Sequence, residues 1–313
     1  MSDSKRPTKS KKRSQIKMIW GRFKKNRLAM FGFIMFGVLL VLGMSAPLII
    51  PYTSATEQVM AERLLKPQLI SREWPGFDVF DNPVTVVSER FLIFGTDRFG
   101  RDMFARILHG AFISLSIGFI SIMLSMSVGA VIGSTAGYYG GAIDNVLMRI
   151  MDVFLAIPQT LLAISIVAAL GNSLFNLVIA MSIAAIPRFA RIIRSSILTV
   201  SSMEFVEAAR ACATSDRRII ARHIIPNAIG PIIVQATLNL AATIIAISGL
   251  SFIGLGVAPP RPEWGAMINE GRVHMRQFPH LVVVPGIAIV IAVMSLNLMG
   301  DGLRDALDPR LKN

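Results

Sequence analysis

Four charged residues within TDRFGRD, Asp97, Arg98, Arg101 and Asp102, are the first place in this chain where chemistry could reside. Two carboxylates beside two guanidinium groups have the composition of a tuned acid–base pair. The same residues can instead fix a chain segment by ion pairing, and that is the better reading. His274 and His280 stand six residues apart in a Pro-containing segment, a separation that matches no recognised metal-ligand spacing, so no metal is expected. A lone histidine such as His223 is more often structural than a ligand and receives no chemical role. Cys212 is the only cysteine, which excludes an internal disulfide. No GxxxxGK[ST] phosphate loop occurs, so nucleotide is not bound by that route. With no His/Asp/Glu cluster at membrane depth, the chain is not expected to be an enzyme.

The elements that must position these groups are apolar. At 53% hydrophobic and 16% charged residues over 313 positions, this is an integral membrane chain. Its apolar stretches lie near 28–50, 111–137, 146–170, 173–198, 228–252 and 281–300, each close to the roughly 20 residues a spanning helix needs. The formal charge of +13 comes largely from a tail, because residues 1–27 hold eleven Lys/Arg against one acid. That tail has no aromatic platform for bases and runs straight into the first apolar stretch, so it orients the chain in the membrane; no nucleic-acid partner is expected. The first apolar stretch is too long for a cleavable signal core and is read as retained.

With the tail on the cytoplasmic side, six crossings place 51–110 outside, the 199–227 segment inside, 253–280 outside and the C-terminal 301–313 inside. Residues 188–222 carry seven arginines against three acids, in agreement with a cytoplasmic location. The spans 111–137 and 228–252 carry no charge and the last offers Asn297 at most, while Arg149 and Asp152 sit near an expected cytoplasmic end, which counts against an ion-coupled carrier and implies that energy comes from a partner. Gly118, Gly129, Gly133, Gly137, Ala241, Ala242 and Gly249 permit close helix approach.

Between the fourth and fifth spans, EFVEAARACATSDRRIIARHIIPN reads as two helical pieces. Ala208, Ala209, Ala211 and Cys212 favour helix, Thr214 to Asp216 supply turn and cap chemistry, and Pro226 closes the second piece. Such a hairpin suits the cleft of a soluble partner; by charge pattern alone, a solvated loop remains the alternative. Glu207-Ala208-Ala209, followed by a small residue at Ala213 and a hydrophobic pair ending in Pro226, resembles the EAA loop of ABC importer membrane subunits. The family's loop glycine is Ala213 here, and its first late hydrophobic position is His223.

That resemblance implies a type I importer fold, all-α with six transmembrane helices and a cytoplasmic coupling helix. It also implies ATPase-coupling roles for Glu207, Ala208, Ala209, Ala213, Asp216 and Pro226. FGTDRFGRDMFARILHGAFISLSIG, GYYGGAIDNVLMRIMD, LSFIGLGVAPPRPEWGAMINEG and GDGLRDALDPRL are similar to the second permease of the dipeptide, oligopeptide and nickel importer group. The implied location is the bacterial cytoplasmic membrane, crossed several times, with both termini cytoplasmic. The implied partners are a homologous permease, two ATP-binding subunits, an extracytoplasmic solute-binding protein and membrane lipid. No cofactor belongs to this chain; ATP and Mg belong to the ATP-binding subunits. The implied solute is a peptide, with nickel, glutathione or another small solute as alternatives and a self-contained secondary carrier as the competing class.

Between the last two spans, prolines 259, 260 and 262 forbid a continuous helix from Gly254 to Trp264 and require a rigid external loop. Pro260 and Trp264 are expected at the outer gate or receptor contact, with anchoring at the membrane interface as the other reading of Trp264.

Overall fold

A computed structural model describes residues 15–67, 72–77, 83–88 and 92–307. The basic tail is therefore described only from Gln15 onward, and the C-terminal segment only to Leu307. The described residues form twelve α-helices in chain order: α1 Gln15–Phe23, α2 Arg27–Ile49, α3 Tyr52–Thr56, α4 Met103–Tyr139, α5 Gly141–Leu155, α6 Gln159–Leu170, α7 Leu174–Ser201, α8 Glu204–Ala211, α9 Asp216–Ile219, α10 Ile225–Phe252, α11 Trp264–Gly271 and α12 His280–Leu307. Between α3 and α4 the chain adds an antiparallel hairpin, β1 Arg72–Phe77 with β2 Pro83–Ser88, registered from Arg72 opposite Ser88 to Phe77 opposite Pro83. The β-branched run PVTVVS suits a strand, and Pro75 is tolerated because a two-stranded ribbon consists of edges.

Among the described residues, five helices are long and apolar enough to cross a membrane: α2, α4, α7, the run Asp216–Phe252 and α12. The third apolar stretch of the sequence is not one helix. It divides into α5 and α6, which meet at 81°, and together they make the sixth crossing if they form one span. Pro158 accounts for the break, since it disfavours helical backbone at Ile157 and cannot donate to the helical ladder. The C-terminal segment also differs from a separate tail, because α12 continues through Asp301, Arg304 and Asp305 to Leu307.

Side-chain caps set the starts of α2 and α4, as they also do those of α7 and α11. Asn26 Oδ1 accepts from Leu28 N at 3.1 Å and Ala29 N at 3.2 Å, and Asp102 Oδ1 accepts from Phe104 N at 2.8 Å. The central contact joins α4 to α7. A Cβ on Gly133 would lie 2.4 Å from the carbonyl oxygen of Ala190, so only glycine lets the two backbones approach this closely. Ser125 Oγ donates to Ser182 O at 3.0 Å along the same seam. Gly249, in contrast, has open space where its Cβ would stand and mediates no close approach. α2 and α12 pack together beside this pair, and α10 closes against α12, α4 and α7.

The bundle therefore has two distinct ends. At one, the start of α2, the end of α4, the end of α7, α8, α9 and the end of α12 gather. At the other lie α3, the residue 92–102 segment, the start of α4, the loop after α10, and α11. These are called below the α8 end and the α11 end.

Candidate functional site

At the α8 end the sequence folds into a small helical hairpin with one face locked and one face free. Val206, Ile219 and Ile224 are fully buried in the main core, where Ile197 and Val200 of α7 and Ala228 of α10 also pack. Ala209 is half-buried against the same core, whereas Glu207, Ala208, Cys212 and Ala213 are exposed. The Glu207 carboxylate makes no side-chain hydrogen bond or ion pair among the described residues. Its place in the first turn of α8, beside Glu204, puts negative charge where the helix dipole favours it.

The end of α8 is a Schellman turn: Thr214 N donates to Ala209 O at 3.2 Å and Ala213 N to Arg210 O at 2.9 Å. Ala213 occupies the left-handed position with φ of 52°. This explains the glycine expected there, since a Cβ in that region costs roughly 1–2 kcal/mol. The turn geometry is kept despite the alanine.

Two contacts bind the hairpin to the end of α4. Tyr138 Oη donates to Asp216 Oδ1 at 2.7 Å, and the Arg210 guanidinium lies 4.9 Å over the Tyr138 ring. Asp216 is thus an internal tie and is not free to meet a partner with all its lone pairs. Pro226 does not close the second piece, contrary to the sequence expectation. The helical run continues from α9 into α10 through a π turn at Ile220–Ile224, where Ile225 N donates to Ile220 O five residues back. Widening the turn lets the ring of Pro226, which lacks a donor, enter the first turn of α10 without ending it. Glu207, Ala208, Ala209, Ala213 and Asp216 therefore share one hairpin, and Pro226 stands beyond it on the next helix.

The α11 end holds a buried clasp of four charges. Arg101 Nε meets Asp97 Oδ2 at 2.6 Å, and Arg101 Nη2 donates to Glu270 Oε2; Arg106 Nη2 reaches the same Glu270 oxygen at 3.0 Å, and Arg106 Nη1 lies 3.4 Å from Asp97 Oδ2. Both arginines are about 1% exposed, so neither charge could remain there unpaired. Asp97 Oδ1 also accepts from Phe99 N and Arg101 N, which folds the 97–101 turn around the carboxylate. Gly100, with φ of 74°, passes so close to Val59 that a Cβ would meet its carbonyl oxygen at 1.8 Å. Asp97 and Arg101 pair as the sequence suggests, but Asp102 caps α4 and Arg98 lies 4.5 Å over the Phe99 ring. Arg106 and Glu270, unassigned in the sequence, complete the clasp and tie α11 to α4.

Trp264 requires a correction. It is fully buried, its Nε1 donates to Ile107 O at 3.1 Å, and Gly110 leaves room for its ring. A side chain enclosed in this way is neither a lipid-interface anchor nor a surface for a receptor. The preceding Glu263, also buried, caps α11 by accepting from Gly265 N at 3.0 Å and Ala266 N at 2.8 Å. Burial pushes its carboxyl above the usual carboxylate range, opposed by those two amides. Pro260 stays exposed in the loop. Trp264→Ala is expected to cost about 3–5 kcal/mol through the cavity it leaves. Loss of folded subunit on size-exclusion chromatography checks this; a monodisperse variant with unchanged thermal stability would return Trp264 to a surface role.

A third charged group lies along α7. Arg191 Nη2 pairs with Asp152 Oδ1 at 2.6 Å, and Arg194 makes a two-pronged contact with Asp144 of α5. Arg188, one turn earlier, donates to Asn239 Oδ1 of α10 at 2.9 Å.

Residues 129–313 match the family described as the binding-protein-dependent transport system inner membrane component, and residues 14–67 match the N-terminal transmembrane domain of oligopeptide transport permease C. The chain is 41% identical over 292 residues to the dipeptide transport system permease protein DppC of Alkalihalophilus pseudofirmus, covering 93% of this chain and 89% of that protein. It is 46% identical over 219 residues to the glutathione transport system permease protein GsiD of Pectobacterium atrosepticum, covering 70% and 73% respectively. Among solved structures, an inward-facing form of the MetNI methionine ABC transporter aligns with a TM-score of 0.55 at 18% identity, covering 66% of this chain and 98% of that one, a likeness of fold.

Proposed function

Because the chain belongs to the binding-protein-dependent inner membrane components, as an ABC importer permease of the dipeptide and oligopeptide family, we propose that it forms half of a membrane path through which peptides are driven by ATP hydrolysis in partner subunits. The observation that carries this reading is the hairpin at the α8 end. It offers Glu207 and Ala208 to a partner on one side, while Val206, Ile219 and the Tyr138–Asp216 bond fix its other side to the helices of the bundle. A push on that surface cannot be absorbed locally, so it is passed to α4, α7 and α10.

The α8 end faces the cytoplasm in this reading. Arg22, Lys24, Lys25 and Arg27 share it with Arg210, Arg217, Arg218 and Arg222, in keeping with the positive-inside rule. The α11 end then meets the solute-binding receptor, with exposed Pro260 in the contact and the buried clasp keeping α11 and the loop in place. Nucleotide binding and Mg coordination belong to the ATP-binding subunits, and this chain supplies the docking surface. Glutathione is the second reading of the solute, favoured by the likeness to GsiD.

Reconstitution of the chain with its second permease, ATP-binding subunits and receptor in liposomes tests the proposal. Trialanine or glutathione should accumulate only with ATP, and Cys212, exposed on the hairpin, should crosslink to thiols placed in the ATPase cleft with a yield that depends on nucleotide. Accumulation driven by an ion gradient without the ATP-binding subunits would overturn it.

A further inference from the structure

We infer that Arg188, held by Asn239, is a recognition site for the carboxylate of the transported solute; the inference rests on the importer reading above. Arg188 lies midway along α7, about 20 Å from each end at 1.5 Å per residue, and is exposed on the surface of this chain. Arg188 falls inside the expected 173–198 span, where an arginine is costly against hydrocarbon, so its face must look onto another protein surface or a watered path. The next two arginines of α7, Arg191 and Arg194, each have a carboxylate partner, whereas Arg188 has none among the described residues. Its one hydrogen bond is to a neutral amide oxygen. Asn239 is itself oriented by donating from Nδ2 to Gln235 O at 2.8 Å, which fixes its Oδ1 toward the guanidinium. The fork is therefore held in place while most of its donors, and its whole charge, remain unspent.

The surroundings favour an anion over any other occupant. A cavity of about 940 Å³ runs between α7 and α10 toward the α8 end, and its walls include Arg191, Ser195, Asn227, Gln235 and Arg304 with no carboxylate. Arg188 and Asn239 do not line this cavity but stand one helical turn beyond its wall residues Arg191, which is paired with Asp152, and Gln235. Peptides and glutathione share a free carboxylate, the group an arginine fork recognises with two parallel hydrogen bonds. The site thus supplies a charged stepping point within the path, separate from the receptor.

The test uses the reconstituted complex carrying Cys212→Ser. Trialanine or glutathione is the probe, whichever the unmodified complex accumulates; if it accumulates neither, the proposed solute class fails, and this inference with it, before any variant is judged. Arg188→Cys should lower uptake at least tenfold and still co-purify with the second permease. A cationic aminoethyl thiosulfonate should restore uptake to within threefold of the starting complex, a neutral methyl reagent should not, and saturating solute should slow the thiol's modification threefold or more. Unchanged uptake, equal rescue by both reagents, no protection by solute, or loss of the second permease would each overturn the inference, the last by assigning Arg188 to the contact between permeases.

Discussion

Glu270→Ala is expected to destabilise the subunit by about 3–5 kcal/mol and to leave little of it in an assembled complex. Glu270 Oε2 receives both Arg101 and Arg106, and the remaining acid of the clasp, Asp97, already accepts two backbone amides of its own turn. Truncation would strand guanidinium charge where water does not reach. The cost arises from the group left behind more than from the bond removed, and a second variant separates the two. Replacing Arg106 and Glu270 together by methionine removes one charge of each sign, keeps the Arg101–Asp97 pair, and should recover most of the loss. Thermal unfolding of the purified subunit in detergent measures both. A Glu270→Ala midpoint equal to that of the starting protein would mean that the clasp does not hold α11.

The clasp also shows where the sequence stops being legible. Apolar runs locate the spans well, because burial in hydrocarbon needs only composition and length: the expected 173–198 and 228–252 appear as Leu174–Ser201 and Ile225–Phe252. Asp97 and Arg101 pair across one turn and can be read from spacing. Glu270 is 164 residues from Arg106 and meets it only because α11 folds back against α4, which no local pattern announces. Trp264 misleads for a similar reason. Tryptophan beside prolines in an external loop suggests a membrane boundary, but Gly110 and Ile107, more than 150 residues earlier, provide an enclosed slot with an acceptor for its indole.

The hairpin at the α8 end was legible as helix, turn, helix, since alanine content and the Thr214–Asp216 turn are local signals. Its attachment was not. Tyr138 belongs to a span and Asp216 to the hairpin, and their bond joins positions 78 residues apart. Pro226 was misread because a π turn is a geometric accommodation with no residue signature of its own. In each case composition announces the element, while its partner depends on how the chain returns.

Glu207→Lys is expected to lower ATP-driven uptake at least tenfold without removing the subunit from the membrane or from its permease partner. Glu207 is exposed, bonded to no side chain among the described residues, and one position from the buried Val206 that fixes α8 to the core. Its reversal therefore leaves the packing of the hairpin intact, apart from a small loss from placing a cation in the first turn of a helix, worth about 0.3–1 kcal/mol. Across an interface the same change sets like charges together wherever the partner offers a cation, which costs several kcal/mol and translates into a tenfold or larger weakening. Glu207→Gln, which keeps the shape and removes only the charge, should lie between the two. Uptake, ATPase activity of the reconstituted complex and the nucleotide-dependent crosslink from Cys212 should fall together, since all three depend on the same docked surface. Normal uptake by Glu207→Lys with an undiminished Cys212 crosslink would mean that the exposed face of α8 carries no charge-dependent contact. The coupling would then have to pass through the end of α9 and the π turn.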